Sequence, residues 1–318
     1  MKKIILIGLA LFLVLAMGAF ARPSSEQTQI RLATGGTTGT YYAFGTAMAA
    51  TLQEITGIPF TVQSTGASVA NIQLIDQGEV EMAIVQNDTI DYAWRGSDQF
   101  ANDRRYQSFA AVGTIYSEVS HIVVNSASGI RSISDLRGRT VSVGDAGSGT
   151  ELNTRHILEA YGISFNDIRV QNLGVGPSAD ALRNNQIDAF LFTAGPPTSA
   201  IVDLATSNNI TFLEVDNAHV ATLSQRYPFY TAFSFPLNTY RGLTTAIQTV
   251  GIKATLIVKA DLPESTVYTL TKALFENRTQ IAHAKSAEIS PASAVEGMGS
   301  VPWHPGAARY YREIGALR

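Results

Sequence analysis

Two stretches of the chain repeat the same order of strands, helices and small-residue loops, and this repeat limits the folds that the sequence can adopt. The first stretch, 30–86, predicts a strand, the loop GGTTGT at 35–40, a helix over 41–55, a strand, a second small-residue loop, a helix and a strand. The second stretch, 140–193, predicts the same order around the loop GSGT at 147–150. Strands that alternate with helices are typical of an α/β fold. The repeat therefore predicts two similar α/β lobes.

Each repeat places glycine, serine and threonine between the end of a strand and the start of a helix. The first N–H groups of a helix have no partner inside the helix, and the helix dipole gives that end a partial positive charge. Such a junction is suited to binding an anionic group. If the two loops face each other, they would hold an anion from both sides.

The N-terminal segment 1–21 has the pattern of a secretory signal peptide. Two lysines precede a long apolar run, and the segment ends in AFA, an A-x-A cleavage site. Arg22 and Pro23 end the apolar run before it reaches the roughly 20 residues that a membrane anchor needs. We therefore expect a cleaved signal peptide and a mature chain that begins near Arg22.

Composition bounds the location and the partners of the chain. It contains no cysteine, so it has neither a disulfide nor a cysteine that could carry a lipid after the signal peptide. An exported protein without an anchor stays near its cell only behind an outer membrane. We therefore expect the periplasm, with free secretion as the alternative. A net charge of −3 argues against nucleic acid as a partner. We also expect the protein to be a monomer.

A chain of this length usually divides into two domains. Predicted strands would carry the chain from one lobe to the other near 116–124 and back near 229–258. The first lobe would then comprise 27–118 and 245–318, with 119–244 inserted as the second lobe. A cleft between lobes that are joined by two extended strands is a common ligand site and allows hinge closure.

The C-terminal region predicts two helices. Asp261, Leu262 and Pro263 have the pattern of a helix start, with Asp261 as the N-cap and Pro263 in the first turn. We expect this helix to continue to about Ala282. A final amphipathic helix is predicted over 306–315.

Segments along nearly the whole mature chain resemble the TAXI family, the extracytoplasmic solute receptors of TRAP transporters. These segments are GGTTGTYY (35–42), QSTGASVAN (63–71), GEVEMAIVQ (78–86), DLRGR (135–139), VGDAGSGTE (143–151), QIDAF (186–190), YPFY (227–230) and HPGA (304–307). The resemblance implies a two-lobed type II periplasmic binding-protein fold, in which each lobe is a mixed sheet flanked by helices. It also implies delivery of a small carboxylate-bearing solute to a TRAP-type permease. Members of the family are linked to glutamate, glutamine or related acids.

The candidate binding residues lie in the loops and at the ends of strands. Glycine lets the backbone approach a ligand, and hydroxyl groups donate hydrogen bonds; capping of the next helix is the alternative role of each hydroxyl. In doubly wound sheets ligands bind outside the carboxyl ends of strands, so Gln86 and Thr193 would face the cleft. The predicted ligand-binding residues are Gly36, Thr37, Thr38, Thr40, Tyr41, Thr65, Gly66, Ala67, Gln86, Tyr116, Glu118, Gly147, Ser148, Gly149, Thr150, Ala194, Gly195 and Tyr230.

Larger side chains near these loops have two interpretations each. Tyr41, Tyr116 and Tyr230 would form walls of a pocket or pack elsewhere in the core or on the surface. Glu118 would pair with a ligand ammonium group or face solvent. No arginine stands out as a carboxylate clamp, so backbone amides and hydroxyl groups are the expected carboxylate ligands.

Catalytic alternatives have little support in the sequence. It lacks the motifs G-x-S-x-G, S-x-x-K and H-E-x-x-H, and its five histidines have no metal-ligand spacing. Asp145, Ser148 and His156 suggest a triad, but two of them share a loop and the third lies on the next helix. We expect no catalytic residue, no metal and no cofactor. The expected function is solute capture for a transporter; an ABC-type or chemosensory binding protein, or an exported enzyme on the same fold, is the alternative.

Overall fold

The computed structural model describes residues 29–318, so the predicted signal peptide lies outside the described residues. The strands are β1 (Ile30–Ala33), β2 (Phe60–Gln63), β3 (Met82–Gln86), β4 (Phe109–Asn125), β5 (Thr140–Ser142), β6 (Arg169–Gln171), β7 (Ala189–Ala194), β8 (Ile210–Phe212), β9 (Thr231–Ser234) and β10 (Gln248–Lys259). The helices are α1 (Thr40–Thr56), α2 (Ser68–Asp76), α3 (Asn87–Arg95), α4 (Gly149–Ala160), α5 (Val175–Arg183), α6 (Ser199–Ser207), α7 (Asn217–Arg226), α8 (Glu264–Glu276), α9 (Pro291–Ala294) and α10 (Pro305–Glu313).

These strands form one mixed sheet in the order β2-β1-β3-β10-β4-β7-β5-β6, with β8 paired to β4 and β9 paired to β10. In the first half of the sheet, β1 runs parallel to β2 and β3. In the second half, β5 runs parallel to β6 and β7. Each half adds one antiparallel strand, β10 beside β3 and β4 beside β7. The two repeats thus have the same topology, and the predicted α/β fold of mixed strands and flanking helices is confirmed.

The long strands β4 and β10 connect the two halves and pair with each other in antiparallel orientation. Along β10, the residues up to Gly251 pair with β9, and the residues from Ala254 onward pair with β3. The pairing of β4 with β7 begins at Val119. Both strands therefore pass from one half to the other at about the same level. Movement of the halves as lobes, with the predicted boundaries at 118/119 and 244/245, stays a prediction.

Helix α1 shows how a repeat buries its apolar face. Phe44, Met48 and Leu52 follow one another at intervals of four residues, so they lie on one side of the helix. They are almost fully buried in one apolar cluster with side chains of β1 and β3. Burial of each such side chain stabilises the fold by roughly 1.5–3 kcal/mol. This packing fixes the start of α1 at the end of β1, where the first glycine-rich loop lies.

The C-terminal helices differ in detail from the sequence prediction. Helix α8 begins at Glu264 with Pro263 as its N-cap and ends at Glu276, so Asp261 as N-cap and Ala282 as the end were wrong. Pro263 has an extended ψ of 134°, and the residue before a proline is disfavoured in a helix, which delays the start. The final predicted helix is present as α10.

Helix α10 packs closely against α8 at Gly306, and this contact yields a test of the fold. A Cβ atom at Gly306 would collide with the backbone of Glu264 and Tyr268. We expect Gly306→Ala to lower the free energy of unfolding by about 1–3 kcal/mol, because the helices must separate. The control Arg312→Ala, at an exposed position of α10, should change it by less than about 0.5 kcal/mol. Urea unfolding followed by circular dichroism measures both, and equal midpoints would contradict the close packing.

Candidate ligand-binding site

A central cavity lies between the two halves of the sheet, at the loops and strand ends that the repeats predict. It leaves about 40 Å³ for the centres of water-sized spheres, which is room for a few waters or the polar end of a small solute. The first half and the β4 crossing contribute Gly35, Gly36, Gly39, Thr40, Tyr41, Ala67, Ser68, Gln86 and Glu118. The second half contributes Asp145, Ser148, Gly149, Thr150, Val175, Phe192, Thr193 and Ala194.

Helices α1 to α5 each have an N-cap or a first residue in the lining of the central cavity. The N-cap residues of α1 and α2 are Gly39 and Ala67, and neither has a side-chain hydrogen bond to its helix. Ser148 caps α4, because its Oγ accepts a hydrogen bond from the N–H of Glu151 at 3.1 Å. The helix ends offer N–H groups and a partial positive charge to one small volume. No lysine or arginine lines this cavity within residues 29–318, so an anion there would depend on amides and hydroxyl groups.

Ala67 holds an unusual backbone conformation at the start of α2. Its φ of 67° and ψ of −141° lie in a region that non-glycine residues rarely adopt, at a cost of roughly 1–3 kcal/mol. The conformation is held by Thr65, whose Oγ1 accepts a hydrogen bond from the Ala67 N–H at 3.0 Å and donates to the Thr34 carbonyl at 2.9 Å. Thr65 therefore shapes the loop that presents the N-terminus of α2 to the cavity.

Glu118 is the acidic group at the floor of the central cavity. It lies on β4, is 1% exposed, and accepts a hydrogen bond from the Tyr41 hydroxyl at 2.7 Å. Burial raises the pKa of Glu118 to about 8, against the opposing effect of the Tyr41 hydrogen bond. Asp88 raises this pKa further, and the buried Lys285 lowers it. An empty cavity therefore holds Glu118 protonated at neutral pH, and an arriving cation would favour its ionisation.

Gln86, at the end of β3, has an unpaired carboxamide oxygen inside the cavity lining. The residue is 2% exposed, and its Oε1 makes no hydrogen bond within residues 29–318. A Cβ atom at Gly149 would overlap this carboxamide, so the approach of α4 requires glycine there. An unpaired buried polar atom costs about 1–3 kcal/mol, and a ligand that donates a hydrogen bond would remove that cost.

Direct hydrogen bonds join the two halves next to the cavity. The Thr40 hydroxyl, in the first half, donates to the carbonyl of Gly195 at 2.8 Å. The Ser199 hydroxyl, in the second half, donates to the carbonyl of Thr38 at 2.9 Å. The halves are therefore closed over the central cavity in this structure.

An outer cavity continues from the central cavity toward solvent. Its lining residues are Gly36, Thr37, Thr38, Ser64, Thr65, Gly66, Asp145, Gly174, Val175, Gly176, Pro177 and Asp180. Gly36, Asp145 and Val175 line both cavities, so they mark the passage between them.

The structure brings most of the predicted residues to these two cavities. Those at the central cavity are Gly36, Thr40, Tyr41, Ala67, Gln86, Glu118, Ser148, Gly149, Thr150 and Ala194. Those that line the outer cavity, besides Gly36, are Thr37, Thr38, Thr65 and Gly66. A contact with ligand stays a prediction for each of them.

Four predicted residues line neither cavity. Gly195 and Tyr116 lie behind the central cavity, where both are close to Lys285. Gly147 lies at another edge of the cleft, beside α2. Tyr230 is buried elsewhere, with its hydroxyl bonded to Asn153 at 2.8 Å and to His156 at 3.1 Å.

Several lining residues were absent from the predicted set. Asp145 lies in the loop between β5 and α4, three residues after the last residue of β5, and ligands of such sheets bind at the loops that follow strands. Ser68 is the first residue of α2 and follows the predicted second loop. Thr193, which the strand-end rule predicted to face the cleft, lines the central cavity. Phe192 and Val175 carry no sequence signal, because an apolar side chain at a cavity looks like one in the core.

The geometry does not assemble the triad considered from the sequence. His156 pairs with Asp98 at 3.1 Å and stacks on Tyr227, rather than bonding to Asp145 or Ser148. Within residues 29–318, no group of three or more histidine, aspartate or glutamate residues has the arrangement of a metal site. The helices in that range also include none with the length and hydropathy of a membrane span.

Comparisons with known proteins place the fold. The sequence model of the NMT1-like family matches residues 32–315. A protein from Bordetella bronchiseptica RB50 superposes with a TM-score of 0.57 at 18% identity, over 91% of this chain and 81% of that chain. The periplasmic binding protein BugD gives 0.55 at 14% identity, over 83% of this chain and 85% of that chain. A binding protein component of an ABC phosphonate transporter from Pseudomonas aeruginosa gives 0.53 at 14%, over 83% and 78% respectively. The likeness shows a shared fold, that of periplasmic binding proteins.

The buried Glu118 carboxyl predicts how stability depends on pH. The folded chain keeps this proton up to about pH 8, whereas the unfolded chain loses it near 4.5. Between those values the folded state binds more protons, so this group lowers the free energy of unfolding by about 1.4 kcal/mol per pH unit as pH rises. Urea unfolding of ligand-free protein at pH 5 to 8 should show Glu118→Gln gaining stability relative to the parent. Glu159→Gln, at a partly exposed surface ion pair, should leave the slope unchanged; a parallel profile for Glu118→Gln would contradict the argument.

Proposed function

The chain belongs to the NMT1-like family, and we propose that it is a periplasmic solute-binding protein that captures a small amino acid for a membrane transporter. The observation that carries this proposal is one closed cavity that combines helix N-termini with a buried acidic side chain. An amino acid offers both matching groups, a carboxylate and an ammonium, on one carbon atom. A carboxylate solute without an amine is the second candidate.

The carboxylate would bind at the N-termini of α1 and α4. These helices start at Thr40 and Gly149, on opposite halves of the sheet, and both starts line the cavity. Amide hydrogen bonds to a charged group contribute about 1.5–3 kcal/mol each. Several such bonds allow micromolar or tighter affinity and still permit release, because none of them requires a buried cation.

The ammonium group would bind at Glu118. The Glu118 carboxyl accepts a hydrogen bond from Tyr41 and has no lysine or arginine within ion-pair distance among residues 29–318. A ligand ammonium would supply the missing cation and would favour the ionised form of the acid. A hydroxy or oxo acid would instead bind while Glu118 keeps its proton and donates a hydrogen bond.

Closure of the halves without solute has a cost that a solute would remove. The closed cavity leaves the Gln86 Oε1 unpaired and keeps Glu118 away from water. The hydrogen bonds from Thr40 and Ser199 favour closure by about 0.5–1.5 kcal/mol each. A solute that pairs with groups on both halves binds the closed form better and shifts the population toward it.

The transporter is proposed from the sequence resemblance. Resemblance to the TAXI family favours a TRAP-type permease as the partner, with the protein exported to the periplasm after signal-peptide cleavage. The fold relative from an ABC phosphonate transporter keeps an ABC permease, or a chemosensory partner, as the alternative. Binding without chemical conversion of the solute is part of the same proposal. The genes next to this one would distinguish the two transporter classes.

Calorimetric titration with single amino acids tests the proposed ligand class. We expect at least one to bind with a micromolar or lower Kd. Its affinity should rise from pH 6 to pH 8, because an ammonium at Glu118 requires the carboxyl to release its proton. Glu118→Gln should weaken binding roughly tenfold or more, which corresponds to the loss of a bond to a charged group.

The matched control is Glu159→Gln, at the end of α4 away from the cavity, which should bind like the parent. Tight binding of a sugar or a metal, with no binding of any amino acid, would refute the proposal. Affinity for a hydroxy or oxo acid that falls above pH 8 would favour the second candidate.

Small-angle scattering tests the closure of the halves. We expect the radius of gyration to fall when the amino acid identified by calorimetry saturates the protein, because the solute selects the closed form. Gly149→Ala places a methyl group against the Gln86 carboxamide and should reduce this compaction. Identical curves for the free and saturated parent would mean that closure does not depend on solute.

A further inference from the structure

Asp145 lies at the passage between the central and the outer cavity. It follows β5 and lines both cavities together with Gly36 and Val175. A Cβ atom at Gly174 would come within 2.8 Å of the Asp145 Oδ2, so glycine there lets the carboxyl lie against the start of α5. Burial raises the pKa of Asp145, and a hydrogen bond from the Gly174 N–H opposes this effect.

The charge of Asp145 has no counterion in the region that the structure describes. No ion pair involves it, whereas Asp180, the other acid of the outer cavity, pairs with Arg183 at 2.5 Å. Neither cavity is lined by a lysine or an arginine in that region. The Gln86 Oε1 in the central cavity is likewise an acceptor without a donor. Each cavity is therefore lined by acidic side chains and by no basic side chain in that region.

The direction of the solute follows from the groups that hold its amino-acid end. In the proposed function, the carboxylate binds at the N-termini of α1 and α4, and the ammonium binds at Glu118 on the floor. The remaining part of the solute must extend along the continuation of the cavity, between Gly36 and Asp145. The distal group then meets the Asp145 carboxyl.

Resting on the proposed function, we propose that Asp145 is a specificity-determining residue, which selects solutes whose distal group donates hydrogen bonds and rejects solutes with a second carboxylate. A distal amide or amine would donate a charge-assisted hydrogen bond to the carboxyl. A distal carboxylate would meet a like charge at a partly buried position whose lining has no cation, which costs binding free energy. The preferred solute class is thus amino acids with an amide or a second amine.

Isosteric pairs of amino acids isolate the distal group. Calorimetry at pH 7.5 measures the Kd of glutamine against glutamate and of asparagine against aspartate, which differ only by amide and carboxylate. We expect the parent protein to prefer the amide of at least one pair tenfold or more. In Asp145→Asn the charge is lost while an oxygen remains for the Gly174 N–H, and the preference should fall at least tenfold.

Two further variants control this experiment. Asp180→Asn removes a paired charge from the same outer cavity, so the preference should match that of the parent. Asp145→Thr also removes the charge and keeps an acceptor oxygen, which provides a second measurement if Asp145→Asn is unstable by circular dichroism.

Each outcome bears on the inference separately from the proposed function. A parent that prefers the carboxylate member of both pairs, or variants at Asp145 that keep the amide preference, overturns the role of Asp145. Binding restricted to amino acids without a distal polar group also overturns the role of Asp145. If Glu118→Gln abolishes that binding, the proposed function still stands. Absence of any amino-acid binding refutes both.

Discussion

The antiparallel pairing of β4 with β10 is the constraint on which the site depends. These strands are the connection between the two halves of the sheet, and Glu118 lies opposite Ile252 within their ladder. The backbone around Glu118 is therefore fixed by hydrogen bonds on a buried strand, independent of the surface loops. A carboxyl group at such a position cannot avoid burial, and the Tyr41 hydroxyl is its hydrogen-bond partner. The floor of the cavity is thus set by the sheet, whereas its walls are set by loops.

Those walls follow from the topology of the two repeats. Parallel strands bring their carboxyl ends to one edge, so the loops after β1 and β3 gather at one edge of the first half, and the loops after β5 and β7 gather at one edge of the second half. The strands of the two halves run in opposite directions along β4 and β10, so these two edges face each other across the cavity. This is why the repeated order of loops and strands was enough to predict the sheet in each half and most of the residues at the two cavities. Gln86 shows the rule at work, since it is the last residue of β3 and lies in the cavity lining.

The sequence could not reveal features that depend on long-range contacts or on the face of the sheet to which a side chain points. Tyr230 is of a residue type that is common in pocket walls, yet Asn153 and His156 of α4 bind its hydroxyl in a separate buried cluster. Phe192 reaches the cavity because of the pairing of β7 with β4, and an apolar residue carries no local mark of that placement. Asp145 lies in a small-residue loop after β5, and the residues beside it are the glycine and hydroxyl residues that the anion-binding pattern predicts.

The hydrogen bonds from Thr40 to Gly195 and from Ser199 to Thr38 use only groups of the protein itself. They require no solute, so in the proposed function some empty molecules would adopt the shape of the loaded protein. A permease that recognises this shape would bind empty as well as loaded protein. Stronger bonds between the halves would make this unproductive binding more frequent. Stronger bonds would raise apparent affinity for solute by reducing the fraction of molecules that are unable to bind tightly. They would also reduce the difference in shape between the free and the solute-bound protein in solution. In the proposed function, the strength of these two hydrogen bonds therefore balances affinity for solute against the ability of a transporter to distinguish loaded from empty protein.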